Sequence, residues 1–431
     1  MNGPALSAFQ HLMAFGNSDQ ASFRDPRVRA CFDVMTVPGT IASYYDEATA
    51  AFVLSSKVPY LIDPRTPLFQ EDLAAPRASH FSLAEWHGPS VLARLPRTGP
   101  ARFPSSFFTP AVVAEMVREV IHRQRSYAGN APRVMKKLDR YARLLAQAMQ
   151  QQQAQVPAGG PSAPVAVLAP YFAVTGTGDP WFSVVRKVWA QCAALPDPKT
   201  ISPVLCVGPR QEAGQYGTVS VDGVAVLGEL LAHLPAALAS RCYVWVTGFD
   251  ERTVDEGQLR RLWRTVLLQP PGRELVNLYG GFFSICLRYA GLAGFGNGLT
   301  YSESRAWPAL ASTGSAPPRY YIRDLHLFLP PAAAQAVVAA EPAFKCPCDA
   351  CTELRAQGQS IASMPYHSLK RHFAYARQWE LDEVAGNTPA AVAASLMDAE
   401  RRLDAVRASL PKGVSPSVEH LTRWANVLLR P

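Results

Sequence analysis

Three cysteines fall within six residues in KCPCDAC, at Cys346, Cys348 and Cys351, and two histidines follow in YHSLKRH, at His367 and His372. Zinc takes four soft or borderline ligands in a tetrahedron. Pro347 and the Asp349-Ala350 pair give a turn tight enough for three thiolates to converge. The fourth ligand must come from the helix that follows. We expect His367, with His372 as the alternative, since the spacing of the two lets only one face the sulfurs. Three thiolates and an imidazole leave no open position for water, so the metal expected is a structural zinc, not a catalytic one. Clustered thiols without a metal would be an oxidation liability in a reducing compartment.

A second group of candidates sits where apolar runs end. Asp63 and Arg65 close VPYLIDPR, Asp250 and Glu251 follow CYVWVTGF, and Asn277 and Tyr279 end ELVNLY. Further on come Asn297, Tyr301, Glu303, Arg305, Asp324 and His326, while Tyr171 and Arg210 follow earlier runs. Carboxylates facing one pocket can divide acid, base and nucleophile roles. Gly280 and Gly281 in NLYGGFFS let a ligand approach the backbone, and Tyr279 beside them could stack on a planar base. The Gly, Asn, Tyr, Glu and Arg of FGNGLTYSESR have the same character.

The elements that must position these groups show a rhythm. VAVLAPYF, ISPVLCVG and CYVWVTGF read as buried strands, each followed by an amphipathic helix. Apolar strands alternating with helices indicate a parallel sheet covered on both faces. We therefore expect an α/β fold, a (β/α)8 TIM-type barrel with a C-terminal zinc-binding helical subdomain, over an open doubly wound sheet. No glycine-rich dinucleotide or phosphate fingerprint follows any strand. The expected organisation is an N-terminal lead-in at 1–56 and a barrel at 57–340, with a helical insertion and a flexible loop at 148–164. Zinc-binding and helical residues at 341–431 complete it. With 42 Lys and Arg against 34 Asp and Glu, the net charge is +8, which favours an anionic partner. Basic and aromatic residues interleave at 118–143 and 368–380, a pattern that suits nucleic acid. No apolar run reaches membrane-spanning length, and the first residues do not read as a signal peptide, so the expectation is a cytoplasmic protein without a membrane partner.

The C-x-C-x-x-C turn, followed by a helix bearing His-Ser-Leu and placed after a barrel, resembles the zinc subdomain of the tRNA-guanine transglycosylase superfamily. That superfamily includes relatives that place 7-deazaguanine bases in DNA. PYLIDPRTPLFQ is similar to the family strand that ends in Asp-Ser-Gly-Gly-Phe-Gln, with Asp63, Phe69 and Gln70 as counterparts. The resemblance implies base exchange on DNA or tRNA, structural zinc, and Asp63 at the base. It also implies an aspartate nucleophile late in the barrel, where this chain has Gly296 and Asn297. An amide cannot be that nucleophile. Either Glu303 or Asp250 substitutes, or the barrel is a nucleic-acid-binding or partner-binding component of a DNA-modification or phage-defence system. A homodimer is compatible with either reading.

Overall fold

The computed structural model describes residues 9–16, 19–56, 58–70, 73–127, 163–208, 222–299, 303–305 and 317–431. Short runs of branched and aromatic residues form most of its strands, because such side chains fill both faces of a buried sheet. The strands are β1 (Gln10–Ala14), β2 (Val34–Pro38), β3 (Tyr60–Asp63), β4 (Val167–Leu168), β5 (Ala173–Val174), β6 (Ile201–Ser202) and β7 (Val204–Val207). They continue with β8 (Arg241–Val246), β9 (Glu274–Asn277) and β10 (Gly294–Gly298). The main sheet runs β3-β2-β1-β10-β9-β8-β7-β5, with every pairing parallel.

Closure comes from two broken strands. Pro170 separates β4 from β5 and Pro203 separates β6 from β7, because proline has no N–H for a ladder. β4 pairs β6 and β5 pairs β7. On the other side, Val165 N–H donates to Tyr60 O at 2.8 Å and Leu61 bridges Ala166. Taking each broken pair as one staircase, the ring has eight positions and no open edge, a (β/α)8 barrel. Leu12, Val34, Leu61, Leu168, Val204, Tyr243 and Val276 fill the lumen.

The residues read as a lead-in supply β1 and β2. Each is five residues long and bracketed by turns and short helices, so neither stands out as a long apolar run. The helix Pro110–Ser126 starts as its sequence implies, with Thr109 Oγ1 accepting from Val112 N–H at 3.4 Å and proline at its first position. Most of the segment at 148–164 lies outside the described residues.

After the barrel, β11 (Tyr320–Ile322) and β12 (Leu327–Leu329) make an antiparallel hairpin. The helices Asp349–Ala356, Tyr366–Gly386, Pro389–Val406 and Glu419–Leu429 follow. They dock on the rim of the barrel: Trp424 Nε1–H donates to Glu251 O at 2.9 Å, and Tyr289 O–H to Val384 O at 2.8 Å. Among the described residues no helix is long and apolar enough to cross a membrane.

Candidate metal centre and barrel mouth

Cys348 caps the helix Asp349–Ala356, with its sulfur accepting from Cys351 N–H at 3.5 Å, and Cys346 Sγ accepts from Cys348 N–H at 3.4 Å. Nδ1 of His372 lies 3.4 Å from both Cys348 Sγ and Cys351 Sγ. The ligand atoms of Cys346, Cys348, Cys351 and His372 are all buried and lie within 4.8 Å of one another. A tetrahedral zinc about 2.3 Å from sulfur and about 2.0 Å from nitrogen sets S···N edges of about 3.5 Å, which the geometry matches. Nε2 of His372 donates to Tyr321 O at 2.7 Å, which leaves Nδ1 as the lone-pair nitrogen. Tyr320 stacks on the ring at 4.2 Å and its hydroxyl contacts Cys351 Sγ at 3.4 Å.

His367 is not the fourth ligand. It is exposed, and its Nε2 contacts Ser368 Oγ at 3.3 Å. Five helical residues turn the chain by about 140° beyond one full turn, so only one of the two imidazoles can face the sulfurs. The turn before the helix sets which one.

At the carboxyl ends of the barrel strands, Asp63 is fully buried. Tyr171 O–H donates to its Oδ1 at 2.6 Å, Arg65 N–H donates to the same oxygen at 3.1 Å, and Arg65 Nε lies 2.7 Å from Oδ2. Arg65 takes a left-handed φ of 55°, and the carboxylate that accepts its N–H two residues on holds that turn. Tyr279 packs against Trp245 with ring centroids 5.0 Å apart, and the Arg305 guanidinium lies 5.9 Å from the Tyr279 ring. Trp245 Nε1–H donates to Arg305 O at 2.8 Å. Burial and the nearby Arg65 lower the Arg305 pKa. The mouth thus brings together Asp63, Arg65, Tyr171, Trp245, Tyr279 and Arg305. Of these, Trp245 was not singled out in the sequence, because its apolar run read as core.

Asp250 and Glu303 belong to a different set of contacts. Arg252 bridges them, 3.3 Å from Asp250 Oδ1 and 4.0 Å from Glu303 Oε2, and Glu303 also pairs with Arg377. Arg377 holds Glu380 at 2.6 Å, and Tyr321 O–H and His326 Nδ1 each reach Glu380 Oε1 at 2.7 Å. Burial would raise the Glu380 carboxyl, yet Arg377 and those hydrogen bonds hold it below its ordinary range. Glu251 accepts from Gly281 N–H at 3.0 Å and from Ser284 O–H. Burial, reinforced by Glu303, pushes its carboxyl up to about 7 against those bonds.

Several expected ligand contacts resolve as packing. A Cβ on Gly281 would lie 3.0 Å from Glu251 Oε2 and 3.2 Å from Glu303, so that glycine makes room for carboxylates. Gly280 N–H donates to Gly296 O at 2.8 Å, and the space of its missing side chain is taken by Ser284. Phe69 is buried against His87 and Phe103, outside the lumen. Asn297 pairs in register with Met13, on the outward side, and its Oδ1 meets His11 Nε2 at 2.7 Å. The inward positions of β10 share the register of Leu12 and are glycines. Tyr301 and Arg210 lie outside the described residues. The basic run 368–380 is largely internal, with Lys370 paired to Asp19, Arg371 to Glu353, and Arg377 to Glu303 and Glu380.

No family model and no curated protein matches this sequence. Solved structures resemble it weakly. A fructose-1,6-biphosphate aldolase from Coccidioides immitis gives a TM-score of 0.31 at 11% identity, over 88% of this chain and 91% of that one. A monomeric dihydrodipicolinate synthase variant gives 0.30 at 10%, over 99% and 98%. A tagatose 6 phosphate kinase from Sinorhizobium meliloti 1021 gives 0.33 at 13%, over 98% of each chain. At these scores the likenesses carry no argument about activity.

Proposed function

We propose that this chain is a zinc-stabilised, transglycosylase-like barrel whose mouth receives a nucleobase of DNA or tRNA for exchange with a 7-deazaguanine. The observation that carries the reading is the setting of Asp63 at the end of β3, oriented by Tyr171 and Arg65 beside Tyr279 and Trp245. An oriented carboxylate accepts hydrogen bonds from the N–H groups on a base edge, and the rings offer a flat apolar wall. Cys346, Cys348, Cys351 and His372 would hold the zinc, which supplies no chemistry beyond fixing the chain, since four protein ligands fill its shell. Asp63 is then the carboxylate to test first, because it lies at the mouth beside Tyr171 and Arg65, whereas Glu303 and Asp250 are engaged with Arg377 and Arg252 in a separate set of contacts.

That same engagement favours a second reading, in which the barrel binds its base or partner without turning it over. One experiment separates the two. The zinc-loaded protein is incubated with tRNA or duplex DNA and labelled 7-deazaguanine, nucleosides are analysed by mass spectrometry, and nucleic-acid binding is followed in parallel. Exchange predicts label incorporation that Asp63→Asn abolishes. Binding without label supports the second reading, and neither signal removes both.

A further inference from the structure

A cavity of about 290 Å³ lies away from the barrel mouth, between the segment Arg323–Leu325, the end of the helix Tyr366–Gly386 and the helix Pro389–Val406. That volume is near the lower end of small-molecule sites, roughly 300–1,000 Å³. Phe282, Phe344 and Leu396 give it an apolar floor, and charged groups of both signs line the rest.

Two side chains aim at this space with chemistry the fold does not use. His326 is 4% exposed and has a φ of 46°, a backbone conformation that side chains rarely adopt. Its ring stacks on Phe282 at 3.6 Å, and its Nδ1 is held 2.7 Å from Glu380. A carboxylate on Nδ1 fixes the tautomer and turns the Nε2 lone pair outward. That nitrogen has no hydrogen-bond partner among the described residues, and His326 lines the cavity. Glu383 also lines it, and its half-buried carboxylate has no hydrogen-bond or ion-pair partner among the described residues. Arg323 and Arg402 each engage an aspartate through one edge of the guanidinium, Arg323 with Asp324 and Arg402 with Asp398, and both still line the cavity. One carboxylate is left over, beside an acceptor nitrogen.

We propose that this cavity is a binding site for a zwitterionic amine of amino-acid size. Its ammonium group meets Glu383 and the Nε2 of His326, its carboxylate meets Arg402 or Arg323, and its carbon chain lies on Phe282 and Leu396. Both signs of charge within so small a volume select a molecule that carries both. The inference is independent of the mouth, because none of the mouth residues lines this cavity.

Calorimetry on the zinc-loaded full chain tests the proposal, with each of the twenty α-amino acids offered in turn. Acetate and putrescine serve as carboxylate-only and amine-only probes. The expected result is saturable binding of at least one amino acid, with weaker binding of putrescine and none of acetate. Ser395 lines the cavity from an exposed helix position, so Ser395→Trp should fill it and abolish binding without changing zinc content or melting temperature. Glu383→Gln should weaken binding more than tenfold. No saturable amino acid, acetate binding as well as any amino acid, or binding unchanged in both variants would overturn the proposal.

Discussion

Glu251 shows how a single buried acid can set the pH response of this chain. Its carboxyl is raised from 4.5 to about 7, first by burial and then by Glu303, despite the bonds from Ser284 and Gly281. The folded state therefore holds a proton that the unfolded chain releases near pH 4.5. Between that value and about 7 the folded state binds more protons, so the contribution of Glu251 to stability declines as pH rises through the window. The shift corresponds to roughly 3 kcal/mol as an upper figure. Glu251→Gln stays neutral and can still accept from Gly281 and meet Ser284. Denaturant unfolding of both proteins from pH 5 to pH 8 should show the variant gaining about 1–3 kcal/mol relative to wild type as pH rises. A difference that stays flat across this range would mean that Glu251 is ionised throughout. Residues of this kind were only half legible. Glu251 was visible as a strand-end carboxylate, but Ser284 closes NLYGGFFS, where the glycines and Tyr279 pointed to a ligand and nothing marked the serine as the partner of an acid. Arg377 and Glu380, which engage Glu303 and its neighbours, sit on a helix far along the chain.

The helix Tyr366–Gly386 carries most of what links the candidate metal centre to the barrel. One face supplies His372 to the thiols, and further along come Arg377 and Glu380, which meet Glu303, Tyr321 and His326. Its composition announced a basic, aromatic surface. Its periodicity, read with the contacts, instead gives an inward face on which the charges are paired within the protein. That difference explains why the cysteine turn was legible and the histidine was not. Three cysteines in six residues define a ligand set by spacing alone. Which imidazole faces them depends on where the helix starts, and that is fixed by the chain between Ala356 and Pro365. His372→Ala should therefore lose bound zinc by elemental analysis, or bind it at least tenfold more weakly, and His367→Ala should keep one zinc per chain. Equal zinc loss in both variants would contradict the assignment. The same dependence on tertiary context hid β1 and β2. A strand of five residues is recognised as part of a barrel only when β10 and β3 are seen to pair with it.

For the whole molecule, the buried Cys3His cluster and the barrel are joined by one set of contacts. The thiols hold His372, and His372 donates to the backbone of Tyr321 in the β11–β12 hairpin. Tyr321 in turn reaches Glu380, beside Arg377 and Glu303 at the barrel rim. Zinc binding to such a site is folding free energy for the segment it closes, and apparent values for small zinc domains are about 10–16 kcal/mol. The barrel has its own lumen core and a complete ring of strands, so it does not depend on the metal for closure. Chelation should therefore melt the molecule in parts. Hydrogen exchange after zinc removal is expected to rise at least tenfold in the helices Asp349–Ala356 and Tyr366–Gly386, with little change in β7, β8 and β9. Thermal unfolding should split into an early and a late transition, and restoring zinc should rejoin them. A single transition at an unchanged temperature, with exchange unaltered around Cys348 and His372, would show that the four ligands pack without a metal. Loss of protection throughout the barrel would show instead that the subdomain is part of the barrel's own core. The partial response is expected because the lumen is filled by the strands' own residues, while the C-terminal helices meet the barrel at its outer apolar layer, where Trp424 packs against Phe282 and Phe283.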